Sequence, residues 1–102
     1  MPPPTARLAA AHKAIANAQQ AEAGRFAPGE LGEARAKLAS ARAAVSAQRM
    51  TAAGQLAEES RAEAELAIST TMEAKARVVN DEMMRSTKIL IDEMQRNSGD
   101  TQ

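Results

Sequence analysis

Residues 55–98 read QLAEESRAEAELAISTTMEAKARVVNDEMMRSTKILIDEMQRNS and contain neither glycine nor proline. Strong helix formers such as Ala, Glu, Lys, Arg, Leu and Met dominate this stretch. As a single helix it would span roughly 65 Å, at about 1.5 Å per residue. The two helical segments that precede it reach only about 30 Å each by the same arithmetic. We therefore expect a long third helix that overshoots the hairpin before it.

Two alanine-rich segments precede this stretch, and each repeats a large apolar residue every seven positions with alanine between. In residues 5–23 the large positions are Leu8 and Ile15. In residues 28–46 they are Leu31, Leu38 and Val45. Alanine lets helix backbones approach closely, so these segments predict a tightly packed antiparallel hairpin. The stripe expected to complete a three-helix unit consists of Ala53, Leu56, Ala57, Ser60, Ala64 and Ala67.

Capping residues mark the predicted helix boundaries. Thr5 is a candidate cap for the first helix, and Gly24 is placed to end it. Pro28 suits the first position of the second helix, where its missing N–H is harmless. With Ala27 as the cap, Phe26 and Leu31 take the two places of a hydrophobic staple.

The third helix follows a short connection at residues 48–50, with Thr51 as its candidate cap. The predicted fold is an all-α, three-helix bundle with a protruding C-terminal helix. The predicted parts are an extended proline-rich lead-in (residues 1–4), a single helical domain (residues 5–97, with helices at about 5–23, 28–46 and 51–97) and a flexible tail (residues 98–102).

Charge and composition exclude several classes of partner and chemistry. The 13 basic and 13 acidic residues balance, so we expect no nucleic-acid partner and no anionic lipid surface. Without cysteine there is no disulfide, zinc–thiolate site or thiol nucleophile. No apolar run approaches the roughly 20 residues of a membrane span. Residues 2–4 are prolines, where a signal peptide would be basic and then apolar, so a cytoplasmic location is open.

Large apolar residues recur every eleven positions along the third helix. That repeat corresponds to about 3.67 residues per turn, which gives a nearly straight stripe. Six such side chains would contribute roughly 10 kcal/mol or more if buried. Because a whole domain is typically stable by only about 5–15 kcal/mol, we expect this stripe to be covered. The predicted interface is Ile68, Met72, Val79, Met83, Leu90 and Met94.

Two arrangements would cover the stripe. The helix can stay whole and pair with a second copy or with a helix of another protein. Alternatively, it can break near residues 69–71 or Asn80 and fold back as a fourth helix, whose bundle would bind a small apolar ligand. The absence of glycine and proline favours the intact helix, as do three acid-first pairs at four-residue spacing. These pairs are Glu73–Arg77, Asp81–Arg85 and Asp92–Arg96. Since symmetric dimers are the commonest oligomers, we expect a homodimer.

No catalytic, cofactor or metal site is predicted, so the protein is not expected to be an enzyme. His12 is the only histidine, and acid–base catalysis needs a positioned partner that one histidine on a simple helix does not supply. Methionines 72, 83 and 94 lie about 16 Å apart, too far to share a soft metal ion. An acidic run is interpreted as a solvated helix face; it comprises Glu58, Glu59, Glu63 and Glu65.

Residues 27–67 resemble a known family. The matching positions are Ala27-Pro28, Leu31, Ala34, Lys37-Leu38, Ala41, Ala44, Leu56-Ala57-Glu58 and Ala64-Glu65-Leu66-Ala67. They are similar to domain-of-unknown-function family 4398, an alanine-rich helical domain of proteobacterial envelope lipoproteins. The family usually has a Gly-Asp-aromatic turn where this chain has residues 48–50. The resemblance implies a periplasmic module tethered to the outer membrane through a lipidated cysteine absent from this sequence. Together with the stripe, it predicts a non-enzymatic envelope scaffold or adaptor that self-associates.

Overall fold

The computed structural model describes residues 2–100, which form helices and no strand. The helices are α1 (Thr5–Gln20), α2 (Ala23–Phe26), α3 (Pro28–Ser46) and α4 (Met50–Asp100). The prediction of an all-α fold is therefore confirmed. Contacts between residues divide the chain into two compact units, one ending at Met72 and the other beginning at Glu73.

The core of the first unit is built almost entirely from alanine. Its larger buried apolar side chains, among the described residues, are Ile15, Leu31 and Leu38. Alanine has only a methyl group to bury, so the helix backbones must lie close together for the core to be filled. The predicted stripe on α4 is confirmed except at Leu56, which is half-buried. The buried alanines are Ala11, Ala14, Ala18, Ala23, Ala27, Ala34, Ala41, Ala44, Ala53, Ala57, Ala64 and Ala67.

Polar contacts tie α4 to α1 and to α3. The Ser60 hydroxyl, which is fully buried, donates a hydrogen bond of 2.6 Å to the backbone carbonyl of Ala34 in α3. On the surface, the Arg7 guanidinium of α1 lies 3.3 Å from the Glu58 carboxylate. Gly54 allows a close approach here, because a Cβ atom at this position would lie 2.7 Å from Arg7 Nη1.

The two connections between long helices use left-handed residues that are not glycine. Gln48 has φ 61°, and two backbone hydrogen bonds, from Gln48 and from Arg49, close the C-terminal end of α3. Its N–H donates to Val45 O at 2.9 Å, and the N–H of Arg49 donates to Ala44 O at 2.8 Å. This is the Schellman arrangement, which most often carries glycine at that position. After α1, Glu22 has φ 73° and occupies the corresponding place.

The end of α1 differs from the sequence prediction. The helix stops at Gln20 rather than near Ala23, because the left-handed Glu22 reverses the chain earlier. Gly24 does not end a helix, since it lies inside the single turn of α2. That turn places Ala23 in the core.

The predicted start of the second helix is confirmed. Ala27 is the N-cap of α3, and Pro28 occupies its first turn. These positions put Phe26 and Leu31 at the two places of a hydrophobic staple. The Arg25 guanidinium lies over the Phe26 ring, with its Cζ atom 5.0 Å from the ring centroid. Contact of the ring with Leu31 stays a prediction.

The first and third predicted caps are wrong. Thr5 is the first residue of α1 and its hydroxyl bonds back to Pro3 O, so Pro4 takes the cap position. Thr51 lies within α4, which already begins at Met50.

The last helix extends further than the sequence predicts. Helix α4 continues through Gly99 to Asp100, past its expected end near residue 97. The lead-in is not helical over residues 2–4, and Pro4 lies beside Gly54. Residues 1, 101 and 102 of the predicted lead-in and tail lie outside the described residues.

Over the described residues, the second unit, from Glu73 onward, consists of the C-terminal part of α4 alone. The helix passes residues 69–71 and Asn80 without interruption, so the expected alternative of a fold-back into a fourth helix does not occur. Of the three predicted acid-first pairs, the structure forms the one between Arg77 and Glu73.

Candidate association surface

Composition changes sharply along α4. The chain has 25 alanines, and the last of them is Ala76. Beyond that point the apolar residues are Val, Met, Ile and Leu, which are too large for the alanine-type packing of the first unit. A helix segment that carries such side chains without a second helix against it keeps them in water.

Large apolar side chains of the second unit are indeed exposed, and four of them share one face. At about 100° per residue, these four lie within roughly 60° of one another around the helix. Their exposed fractions are 55% for Val79, 63% for Met83, 60% for Leu90 and 66% for Met94. We call these four residues the apolar face. Ala76, Ser86 and Thr87 fill the positions between them on the same side of the helix.

The other two predicted interface residues belong to the first unit. Ile68 is half-buried and packs against the alanine core, so it lies apart from the apolar face, and its part in an interface stays a prediction. The eleven-residue repeat placed it in the stripe, but the repeat does not show where the first unit ends. Met72 is exposed and is the last residue of that unit.

A shallow depression adjoins the apolar face. Its volume is about 370 Å³, and it is lined by Met83, Met84, Thr87, Lys88 and Ile91. Met84 and Ile91 lie seven positions apart in the sequence, and Thr87 and Lys88 lie between them on the helix surface. This is the diamond of side chains that accepts a knob from a facing helix in a coiled coil. The seven-residue spacing of Met84 and Ile91 is the sequence signal that indicates this arrangement.

More apolar side chains border the face on both sides. Ile89 is exposed on one side and Ile91 on the other, whereas Val78, which is also exposed, lies about 130° from the centre of the face. Asn80 donates weakly to the Met84 sulfur at 3.8 Å, and the Thr87 hydroxyl donates to Met83 O at 2.9 Å. The Thr87 hydroxyl therefore has a backbone partner, which lowers the cost of covering it with a second helix.

The side chains that could take part in catalysis or metal binding lie apart from one another. His12 is exposed on α1. In the acidic run, Glu58 contacts Arg7 and Glu65 contacts Arg61, so two of its four carboxylates face guanidinium groups. In the described part of the chain, no three acidic or histidine side chains gather closely enough to hold a metal ion.

One buried polar group was missed by the sequence analysis. Thr71 is fully buried, and its hydroxyl has no hydrogen-bond partner among the described residues. Its neighbours in the sequence gave no signal, because Thr70 and Ser69 look equally suited to a surface. Thr71 lies at the end of the first unit, and the packing of the helices there buries it, which the local sequence does not reveal.

A comparison with known protein families gives a match over most of the chain. The family model described as "Domain of unknown function (DUF4398)" matches residues 6–83, which include the whole helical part of the first unit except Thr5. No curated protein and no solved structure matches the chain. None of the helices, over the described residues, combines the length and apolar character that a membrane crossing needs. Because the model covers more than three quarters of the sequence, the chain belongs to the DUF4398 family.

Proposed function

We propose that the protein is a non-enzymatic helical scaffold or adaptor of the cell envelope that self-associates through the apolar face of α4. The observation that carries this proposal is the exposure of Val79, Met83, Leu90 and Met94 on one side of one helix. A contiguous exposed apolar patch typically marks an interaction surface.

The available area fits a dimer of modest size. Eight side chains, four from each copy, supply on the order of 500–1,000 Å² of apolar area. The smallest stable interfaces bury about 1,200 Å², of which roughly two thirds is apolar. The bordering side chains of Ile89 and Ile91 add to this area. A second copy is thus a sufficient partner for the face.

The alternative function, a four-helix bundle around a small apolar ligand, needs the third helix to fold back. Helix α4 has no break between Met50 and Asp100, so this arrangement lacks its fourth helix. The scaffold is therefore the better supported of the two functions.

The envelope location rests on the resemblance to envelope lipoproteins. It predicts that the native protein, tagged at its C-terminus in its own cells, fractionates with the outer membrane. Recovery in the cytosolic fraction, with a cytosolic enzyme as marker, would overturn this part of the proposal and leave self-association standing.

Self-association is tested by measuring solution mass for the parent and for Met83→Glu by light scattering. A carboxylate at the centre of the apolar face would be desolvated in a dimer, so Met83→Glu should be monomeric where the parent is dimeric. The matched control is Gln95→Glu, which adds the same charge on an exposed position about 140° around the helix from Leu90. A monomeric parent up to millimolar concentration, or equal masses for the parent and Met83→Glu, would overturn the proposal.

A further inference from the structure

Large and small side chains alternate along the apolar face. When the same face is read in the opposite direction and placed against it, large positions meet smaller ones. Read from the N-terminal end, the large and small positions are Ala76, Val79, Met83, Ser86 with Thr87, Leu90 and Met94. Reversed, the order places Ala76 against Met94, Val79 against Leu90, and Met83 against Ser86 and Thr87. All three pairings are centred on residues 84 and 85.

From this order we infer that two copies of the chain pair antiparallel through the apolar face, with the two-fold axis near residues 84 and 85. The inference rests on the proposed self-association and adds its direction and register. In this pairing each large side chain faces a smaller one, or, at Val79 and Leu90, one of similar size. Alternating sizes across an interface let the layers interdigitate.

A parallel pairing in register would instead place identical residues opposite each other. Ala76 would face Ala76 and leave space, while Met83 would face Met83 and crowd the adjacent layer. Both faults are costly, because unfilled space loses contacts and excess volume forces strained side chains. The order of sizes therefore favours the antiparallel arrangement.

One pair of charges beside the face agrees with this direction. Lys75 and Glu93 lie on the same edge of the apolar face, each about 70° from its centre. In an antiparallel pair, the same edges of the two helices face each other, so Lys75 lies near Glu93 of the second copy, and the symmetry repeats the contact. The Lys75 ammonium has three donors and can serve this carboxylate in addition to contacts within its own chain.

A parallel pair lacks this complementarity. There, each edge faces the opposite edge of the second helix, where Asn80 and Thr87 lie at the positions closest to the face. Neither residue carries a charge. Charge pairs beside a helix interface contribute modestly to affinity but help to set orientation, so Lys75 and Glu93 favour the antiparallel direction.

Disulfide trapping tests the relative direction of the two helices. Because the chain has no cysteine of its own, only the introduced cysteines can form disulfides between copies. Ala76→Cys and Met94→Cys are prepared separately, with different tags, and equilibrated alone or mixed in a glutathione buffer. In the antiparallel dimer, the two copies of position 76 lie about 27 Å apart along the helix, and so do the two copies of position 94. A disulfide needs Cα atoms within about 7 Å, so only the mixture should form a covalent dimer. Gln95→Cys mixed with Ala76→Cys is the control and should link poorly, since position 95 points away from the face.

The outcomes separate this inference from the proposed function. Covalent dimers that form within each single variant, and no faster in the mixture, would mean a parallel pair and would overturn the direction alone. No covalent dimer in any sample, although the parent is dimeric by mass, would also overturn it, because another surface would then form the dimer. A monomeric parent would overturn the proposed function and this inference together.

Discussion

The Ser60 hydroxyl and the Ala34 carbonyl, 2.6 Å apart inside the first unit, form a side-chain hydrogen bond that joins α4 to α3 in the core. The serine stands at a position of the stripe where most other members are alanine, and both Ser60 and Ala34 are fully buried. Its hydroxyl would be costly there without a partner, and the Ala34 carbonyl has a lone pair left beyond its helical bond. The contact therefore fixes the register of the two helices as well as filling space.

Ser60→Ala should lower the free energy of unfolding by about 1 kcal/mol, because it removes a buried hydrogen bond while leaving the helical bond of Ala34 intact. Ser60→Leu should cost more than Ser60→Ala, since the closely spaced backbones leave no room for its side chain. Urea unfolding followed by circular dichroism measures both effects, at one protein concentration because self-association would add to the stability. The matched control is Ser69→Ala at an exposed position of the same helix, and an equal effect there would contradict this reading.

Thr71→Val should raise the free energy of unfolding by about 1 kcal/mol. The substitution keeps the shape of the side chain and removes a buried hydroxyl that has no partner. Thr71→Ser is the informative contrast, because it keeps the hydroxyl and deletes a methyl group, so it should destabilise. A loss of stability in Thr71→Val would mean that the hydroxyl is bonded in solution.

Gln48→Gly should stabilise the first unit by up to about 1 kcal/mol. Gln48 holds a left-handed backbone conformation that glycine adopts without the steric cost of a Cβ atom. Gln48→Val should destabilise, since a β-branched residue is strained at positive φ. Thermal unfolding of both variants measures the difference, with Gln55→Gly at an exposed position of α4 as a control that should destabilise.

Lys75→Glu and Glu93→Lys should each weaken the dimer about two- to fivefold, and the double exchange should restore most of the affinity. The reason is that each single change places like charges opposite each other in the antiparallel pair, twice by symmetry. Sedimentation equilibrium measures the dissociation constants, and the cycle removes what Lys75 contributes within its own chain. Strictly additive effects would show that the two positions never meet.

Much of the fold followed from the sequence because small residues recur at fixed intervals. The seven-residue spacing of Leu31 and Leu38 with alanine between them was enough to identify the buried side of α3, and Pro28 was enough to locate its start. Both features are local, so they need no knowledge of the tertiary structure.

The turns could not be predicted in the same way. Glycine is the usual signal for a left-handed residue, yet Glu22 and Gln48 hold that conformation, while Gly24 and Gly54 lie within helices. The short connections impose the conformation, and packing of the helices that they join compensates for its cost. No local pattern distinguishes Gln48 from the other glutamines of the chain.

The candidate surface was predictable in part for a related reason. The repeat located Val79, Met83, Leu90 and Met94 on one face, because a regular helix converts spacing directly into direction. It could not separate Ile68 from them, since only the tertiary packing shows that Ile68 lies against the alanine core.

The alanine core restricts how the first unit can move. A methyl group has no rotamers, so folding this core orders few side-chain torsions and leaves few alternative packings. Exchange between rotamers therefore cannot carry a conformational signal through it. If binding elsewhere alters this unit, whole helices must slide or tilt. The larger buried side chains of Ile15, Leu31 and Leu38 would oppose such movement most, because they interlock with the facing helices.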